Sequence, residues 1–126
     1  MTENEIGTLI IETSINIHKE LGPGLLESVY ETILYHGLRE KGLKVRKQVS
    51  IPIRFNNIEF EEGFRADLIV ENKVIIELKS VERIINVHKK QLLTYLKLSN
   101  LKLGYLINFN ESLLINGVTR IISVCL

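Results

Sequence analysis

The sequence predicts an α/β fold in which helices cover a central β-sheet. Two segments at the start of the chain carry apolar residues at three- and four-residue intervals, the period of a helix. Three segments after Gly42 alternate with a period of two instead, and Asn56-Asn57 and Glu71-Asn72 separate them. A further helical segment and two more strand-like segments follow, so we expect the third helix to be a crossover that returns the chain to the same sheet.

The two amino-terminal helices each end at a glycine. The first is predicted from Asn4 to Glu20, and its apolar stripe stops at Gly22-Pro23-Gly24. The second is predicted from Leu25 to Lys41 and ends at Gly42, just after basic residues that suit a helix carboxyl end.

The remaining elements follow from the change of period. The first three strands should form an antiparallel meander, because only short turns separate them. The predicted strands and third helix are Lys44 to Phe55, Ile58 to Val70, Lys73 to Ser80, a helix from about Asn86 to Asn100, Lys102 to Phe109 and, after an Asn116-Gly117 turn, Val118 to Val124.

Length and composition narrow the class of protein. The 126 residues, 45% hydrophobic and 25% charged, indicate one globular domain over residues 1–126. A formal charge of +1 is too small for the protein as a whole to attract nucleic acid, so any nucleic-acid-binding surface must be a local patch of positive charge. Cys125 stands alone, no apolar run approaches the roughly 20 residues of a membrane span, and the first residues do not resemble a secretory signal, so we expect a cytoplasmic protein without a membrane partner.

The second and third strands carry the chemistry. Strict alternation predicts a core face made of Phe64, Ala66, Leu68, Val70, Val74, Ile76 and Leu78, and an opposite face made of Arg65, Asp67, Ile69, Ile75, Glu77 and Lys79. If the loop between the two strands has an odd number of residues, as Glu71-Asn72-Lys73 does, Val70 pairs with Val74. Asp67 then lies directly opposite Glu77.

Two facing carboxylates are unfavourable in a plain sheet, because like charges repel. A divalent cation removes that cost, and Mg²⁺ commonly takes one or two carboxylates together with waters and a phosphate. Lys79, two residues after Glu77, would place an ammonium group beside the metal. The alternative is that all three side chains simply line a solvated strand face, which is the commoner role of charged strand residues.

Further candidates lie on the helices. Glu27 could reach the sheet from the start of the second helix, or could be only an acid that favours a helix start. His88, Gln91 and Tyr95 form a polar stripe on the third helix that could bind substrate, although a tyrosine there can also be half-buried core. His18 is a peripheral candidate that is better explained as a surface or helix-terminal imidazole.

One dense basic stretch stands out, at Lys41, Lys44, Arg46 and Lys47. It could follow a phosphate backbone. We expect instead that salt bridges to the next strand neutralise it, through Glu59, Glu61 and Glu62.

In order along the chain, Glu27, Asp67, Glu77-Leu78-Lys79, Gln91 and Tyr95 resemble the signature of the PD-(D/E)XK nuclease superfamily, in particular its exonuclease-like branch. Ala66 stands where the superfamily name has proline. The segment Gly24-Leu25-Leu26-Glu27-Ser28-Val29-Tyr30 also looks like the motif that names the GxxExxY protein family, and the segments GFRADLIV, VIIELKSVE and QLLTYLKLSNLKLGYLINFN are similar to other parts of that family.

The resemblance implies a restriction-endonuclease-like core with helices around a four-stranded mixed sheet. It implies a Mg²⁺ or Mn²⁺ site at Asp67 and Glu77 that Glu27 completes, with Lys79 as the catalytic lysine. The supporting or substrate-binding candidates are Gln91, Tyr95, His88 and Tyr30.

Three functions compete. The first is a metal-dependent phosphodiesterase that cleaves DNA or RNA, with DNA the expected partner. The second is an inactive binding module for nucleic acid or protein that keeps the nuclease fold. A hydrolase of another class ranks last, because the sequence offers no alternative nucleophile and base. We also expect a homodimer, since a small nuclease that cuts both strands needs two sites and the last strand could expose an edge.

Overall fold

The computed structural model describes residues 1–124. Its elements, in order, are α1 (Glu3–Leu21), α2 (Glu27–Glu40), β1 (Val45–Phe55), β2 (Ile58–Val70), β3 (Val74–Lys79), α3 (Asn86–Ser99), β4 (Leu103–Asn108), a 3₁₀ turn (Leu114–Gly117) and β5 (Val118–Ile122). Every predicted element is present, within about two residues of its expected ends.

Local signals set the helix ends. At the start of α1 the Thr2 hydroxyl accepts a hydrogen bond from the Glu5 N–H, and the Glu5 carboxylate accepts one from the Thr2 N–H, which is a capping box. Gly22 ends α1 with a φ of 69°, and Gly42 has a φ of 85°. Glycine adopts this left-handed region without strain, so both helices end where the sequence predicts.

The five strands form one mixed sheet in the order β1-β2-β3-β4-β5. Three pairs are antiparallel, and β3 with β4 is parallel, because α3 crosses over between them. The meander and the crossover are therefore confirmed. All five strands predicted from the residues are present, one more than the four-stranded core that the resemblance implies: the chain reverses in the 3₁₀ turn that contains Asn116-Gly117, and β5 then pairs with β4.

Helices cover both faces of this sheet. Helices α1 and α2 pack on one face through a cluster that includes Ile10, Leu34 and Ile76, while α3 packs on the other through Leu92 and Leu96. The fold is thus the predicted α/β arrangement, a central mixed sheet flanked by helices. Within residues 1–124, no helix combines the length and the apolar character needed to cross a membrane.

The strict alternation predicted for β2 is wrong at its first half. Leu68 and Val70 pack with α1 and α2 as expected, but Phe64 and Ala66 pack in the cluster under α3. On the paired strand Val45 belongs to the first cluster and Val49 to the second. Both strands therefore exchange their inward faces part-way along.

The expected neutralisation of the basic stretch is also wrong. The strands β1 and β2 are antiparallel, so Arg46 pairs with Ile69 and Lys47 with Leu68, while Arg54 pairs with Glu59. Glu59, Glu61 and Glu62 thus lie toward the opposite end of the hairpin from the lysines. In the part of the chain that the structure describes, the one salt bridge joins Arg54 to Glu59, 3.6 Å apart.

Candidate functional site

A small pocket of about 130 Å³ lies between α3 and the segments of β2 and β3 that carry Asp67 and Glu77. Its lining contains seven of the eight candidates for metal, catalytic and supporting roles, which are Glu27, Asp67, Glu77, Lys79, His88, Gln91 and Tyr95; the peripheral candidate His18 is not among them. Arg65, Leu92 and Leu106 complete it. The strands, the start of α2 and one face of α3 thus bring together residues that are up to 68 positions apart in the sequence, from Glu27 to Tyr95.

Asp67 and Glu77 meet at the floor of this pocket. The loop between β2 and β3 has the predicted odd number of residues, and Val70 pairs with Val74 as expected. The backbone pairing of the two strands nevertheless ends at Leu68 and Ile76, one residue before Asp67 and Glu77. Beyond that pair, the two carboxylates accept hydrogen bonds from backbone N–H groups in place of the backbone carbonyls. The Asp67 N–H donates to Glu77 Oε2 at 3.3 Å, and the Leu78 N–H donates to Asp67 Oδ2 at 2.8 Å.

This local break explains how Asp67 reaches the pocket. The ladder between β1 and β2 pairs Lys47 with Leu68 and Val49 with Ala66, and between these pairs lies Gln48, which has a φ of 53°. A left-handed residue other than glycine or asparagine is uncommon within a strand. Both strands change faces at this level, so the Asp67 carboxylate leaves the regular alternation and points along the sheet toward Leu78.

Glu77 is the most deeply buried acid in the pocket, with 7% of its surface exposed. Burial raises the pKa of its carboxyl to about 9, and the nearby Asp67 carboxylate adds to the effect. The Lys79 ammonium opposes the rise. Without a cation, Glu77 therefore holds a proton at neutral pH, as expected when two carboxylates share a site with little solvent.

Two residues that the sequence analysis missed extend the cluster. Gln48 Nε2 donates to Glu31 Oε1 at 2.6 Å and reaches Asp67 Oδ1 at 3.5 Å. Glu31 is buried, and burial followed by the Asp67 charge raises the pKa of its carboxyl, while Gln48 and Lys47 oppose the rise. The spacing of four residues from Glu27 is the one signal that could have found Glu31, because it places both acids on one face of α2.

Glu27 lies at the first position of α2 and is exposed. Its Oε2 accepts a hydrogen bond from the Ser80 N–H at 3.1 Å, just after the strand that carries Glu77 and Lys79. The buried Asn108 holds the next residue, because its side chain accepts from the Val81 N–H and donates to the Val81 carbonyl. This loop after β3 is therefore fixed at both of its first two residues.

The polar stripe of α3 faces the same pocket. Tyr95 packs against Phe64, with ring centroids 4.0 Å apart, and burial followed by Glu77 and Asp67 raises the pKa of its hydroxyl. His88 Nδ1 accepts a hydrogen bond from the Ile85 N–H at 3.1 Å. A neutral His88 consequently carries its proton on Nε2, which leaves a donor for the pocket.

Tyr30 is the candidate that the pocket does not include. It is fully buried and stacks on Phe109 with centroids 4.4 Å apart. Its hydroxyl donates to the Gly22 carbonyl at 2.5 Å and accepts from the Leu25 N–H at 3.2 Å. Tyr30 therefore cannot touch a substrate, and it supports the turn that precedes Glu27.

His18 lies outside the pocket, and its surroundings differ in part from the prediction. His18 lies in the last turn of α1, so its helix-terminal position is confirmed, but the ring is buried, with 7% exposed, and is not a surface imidazole. Its Nε2 donates to the Glu111 carbonyl, 2.7 Å away. The ring joins the end of α1 to the loop after β4 and does not line the pocket.

The donor set suits a hard divalent cation. Asp67 and Glu77 offer two carboxylates in one pocket, and the raised pKa of Glu77 indicates a place where positive charge is lacking. No group of three His, Cys, Asp or Glu side chains within residues 1–124 is close enough to hold a metal. Two protein ligands are sufficient for Mg²⁺, which usually keeps several waters, and a cation with six to eight protein ligands does not fit.

A family model of the PD-(D/E)XK nuclease superfamily matches residues 4–121. No curated protein and no solved structure matches the chain. The matched segment includes every strand and helix described above except the first residue of α1 and the last of β5, together with all the residues of the pocket. The mixed sheet, the crossover helix and the matched sequence agree, and the chain belongs to the PD-(D/E)XK nuclease superfamily.

Proposed function

We propose that the protein is a Mg²⁺- or Mn²⁺-dependent nuclease that hydrolyses phosphodiester bonds of DNA. The observation that supports this most is the meeting of Asp67 and Glu77 at the floor of a pocket that Lys79 also lines. Nucleases of this superfamily generally use divalent metals and act on nucleic acid. The narrower assignment to the GxxExxY family rests on the motif from Gly24 to Tyr30.

In this proposal Asp67 and Glu77 hold the cation, and Glu27 approaches it from the start of α2. The bound metal would polarise the scissile phosphate and lower the pKa of an attacking water. Glu77 must lose its proton before it can bind a metal, so cation binding releases a proton at neutral pH.

The other pocket residues would act on the substrate. The Lys79 ammonium lies two residues from Glu77 on the same strand end, where it would offset negative charge on the phosphate in the transition state. Gln91 and His88 Nε2 supply donors for phosphate oxygens, and the Tyr95 hydroxyl remains protonated because its pKa is raised. Leu92 and Leu106 close the apolar side of the pocket.

A cleavage assay tests this function. Single- and double-stranded DNA and RNA are incubated with Mg²⁺ or Mn²⁺ and with the wild type, Glu77→Ala or Lys79→Ala. Because each variant removes a metal ligand or the transition-state cation, we expect at least a hundredfold loss of rate, the order of one lost electrostatic group. Glu12→Ala and Lys97→Ala remove matched exposed charges and should cleave as the wild type does. Equal activity in all five proteins would contradict the proposal.

The second candidate is an inactive binding module with the same fold. One observation favours it: only two carboxylates converge within residues 1–124, and both are also tied to backbone N–H groups. Calorimetry separates the two candidates. A module predicts no heat of Mn²⁺ binding and nucleic-acid binding that Asp67→Ala leaves unchanged, whereas a nuclease predicts metal binding that this variant removes.

The expected homodimer stays a proposal. β5 is an edge strand and exposes Ile122, so its open backbone groups could pair with a second copy. Light scattering of the intact protein measures this directly. We also propose the cytoplasm as its compartment, and fractionation of cells that express a tagged full chain tests that.

A further inference from the structure

A second pocket, of about 350 Å³, lies where α2 runs beside β1. Its lining is rich in cations and contains no carboxylate side chain: Tyr35, Arg39, Leu43, Lys44, Val45, Arg46 and Asn72. We call Tyr35, Arg39, Lys44, Arg46 and Lys47 the α2–β1 basic surface. Because the whole chain carries a net charge of only +1, this concentration of positive charge is local.

The cations of this surface are ordered around one aromatic ring. The Arg39 guanidinium carbon and the Lys47 ammonium each lie 5.2 Å from the centroid of the Tyr35 ring. Arg39 also donates to the Tyr35 hydroxyl at 2.8 Å. The ring attracts both cations, which otherwise repel each other, and so holds positive charge in place on an exposed surface.

Nearby acids neutralise this charge only in part: the Glu31 carboxyl lies close enough to Lys47 for the ammonium to lower its pKa, but no cation of the surface forms a salt bridge within residues 1–124. The Glu71 carboxylate accepts a hydrogen bond from the Lys44 backbone N–H, and the Arg46 guanidinium donates to the Asn72 side chain rather than to an acid. The glutamates of β2 that could have neutralised the stretch lie toward the other end of the hairpin. A polyanion would therefore find cations here that no salt bridge within residues 1–124 neutralises.

The surface is continuous with the carboxylate cluster. Glu31, Tyr35 and Arg39 are spaced by four along α2, so they share one face, and at 1.5 Å per residue Tyr35 and Arg39 lie roughly 6 and 12 Å beyond Glu31. Along β1, Lys47 directly precedes Gln48, which bonds Glu31 and reaches Asp67. A strand whose phosphate lies at Asp67 and Glu77 can thus continue onto these cations.

We propose that the α2–β1 basic surface binds the sugar-phosphate backbone of the nucleic acid strand whose scissile phosphate enters the Asp67–Glu77 pocket. The inference rests on the proposed nuclease function. It assigns to Tyr35, Arg39, Lys44, Arg46 and Lys47 the task of positioning the strand, largely independent of base sequence, because phosphates carry no sequence information.

Fluorescence anisotropy of labelled single- and double-stranded oligonucleotides, in EDTA and over a series of NaCl concentrations, tests the surface without turnover. The variant Arg39→Gln, Lys44→Gln, Lys47→Gln removes three cations. We expect the slope of log K against log salt to become shallower by about 2, since each phosphate contact contributes roughly 0.7 to 0.9. We expect affinity at low salt to fall at least tenfold, and the Lys47→Gln single variant to show about a third of the slope change.

A matched triple variant, Lys19→Gln, Lys97→Gln, Lys102→Gln, removes the same charge from exposed positions elsewhere and should bind within about twofold of the wild type. Equal losses in the two triple variants, or no loss in either, would overturn the proposal. So would poly-glutamate that competes as well as DNA at the same salt, because the surface would then recognise any polyanion.

The two proposals fail separately. If the wild type binds DNA through this surface but never cleaves it with Mg²⁺ or Mn²⁺, the nuclease function fails and the binding surface stands. If the wild type cleaves DNA while the Arg39, Lys44, Lys47 variant keeps the wild-type salt slope, the surface fails and the nuclease function stands.

Discussion

At the scale of single residues, the site depends on one acid that is costly to ionise. Glu77 is buried beside Asp67, and its carboxyl accepts the Asp67 N–H instead of facing solvent. A buried carboxyl with a negative neighbour is typical of functional sites, where the cost is recovered when a ligand binds. Lys79 lines the same pocket and the Leu78 N–H holds the Asp67 carboxylate, so a ligand of Glu77 would bind beside these two side chains.

Glu77 should make the stability of the metal-free protein depend on pH. Its folded pKa of about 9 lies above the ordinary value of 4.5, so the folded state keeps a proton that the unfolded chain loses. The stabilising contribution is complete below pH 4.5 and is lost progressively as the pH rises to about 9. Urea unfolding in EDTA at several pH values measures this loss.

Glu77→Gln is the control for that titration. It keeps the size and the acceptor oxygen but has no proton to lose, so its free energy of unfolding should vary less over the same range and exceed that of the wild type at pH 8. Parallel curves for the two proteins would show that Glu77 is not the responsible group.

Tyr30 should be a stability residue that acts on the site indirectly. Tyr30→Phe leaves the Gly22 carbonyl and the Leu25 N–H without their partner, which should lower the free energy of unfolding by about 1 to 3 kcal/mol. Tyr35→Phe loses only an exposed bond to Arg39 and should cost less than about 0.5 kcal/mol. Chemical denaturation of both variants checks the difference, and equal costs would contradict it.

At the scale of elements, the position of α3 decides whether its polar stripe faces the pocket. Leu92 and Leu96 pack against the sheet, and Gly104 of β4 leaves the room: a Cβ there would lie 2.9 Å from Leu92. The helix is therefore held close over β4 by its apolar side. His88, Gln91 and Tyr95 are placed by that packing, since they lie on the neighbouring stripe.

Leu92→Ala tests this support. It removes a fully buried side chain and should destabilise the fold by about 2 to 5 kcal/mol. Nuclease rate should fall as well, because α3 loses its fixed position over the pocket. Leu98→Ala, on the same helix but 40% exposed, should leave both quantities near the wild-type values. Thermal unfolding and the cleavage assay report the two effects, and similar losses in both variants would contradict the account.

The order and ends of the elements were predictable because their causes are local. Gly22 and Gly42 stop the helices, and the three-residue loop after Val70 sets the pairing with Val74 that brings Asp67 toward Glu77. The spacing from Glu27 could have pointed to Glu31, but its burial and its bond to Gln48 could not be predicted, because they depend on packing by other elements and on a left-handed residue inside a strand. The partners expected for the basic stretch were wrong because the antiparallel pairing of β1 with β2 places Glu59 opposite Arg54, far along the hairpin from Arg46 and Lys47.

At the scale of the whole molecule, the site joins β1, β2, β3, α2 and α3, so cation binding should stabilise the entire fold. A cation that binds only the folded state adds about 2.7 kcal/mol to the free energy of unfolding at 100 times its Kd. We expect Mn²⁺ to raise the Tm of the wild type and of Glu12→Gln, but not that of Asp67→Asn. An equal rise in Asp67→Asn would place the cation elsewhere.

The central claim is that Asp67 and Glu77 share one divalent cation. The most direct measurement is an anomalous difference map from a crystal of the protein soaked with Mn²⁺ at pH 8. Glu77 releases its proton more readily at this pH than at neutral pH. The account predicts a single strong peak between the two carboxylates, with an open side toward Lys79 and Gln91. A map with both carboxylates well ordered and no peak between them would contradict it.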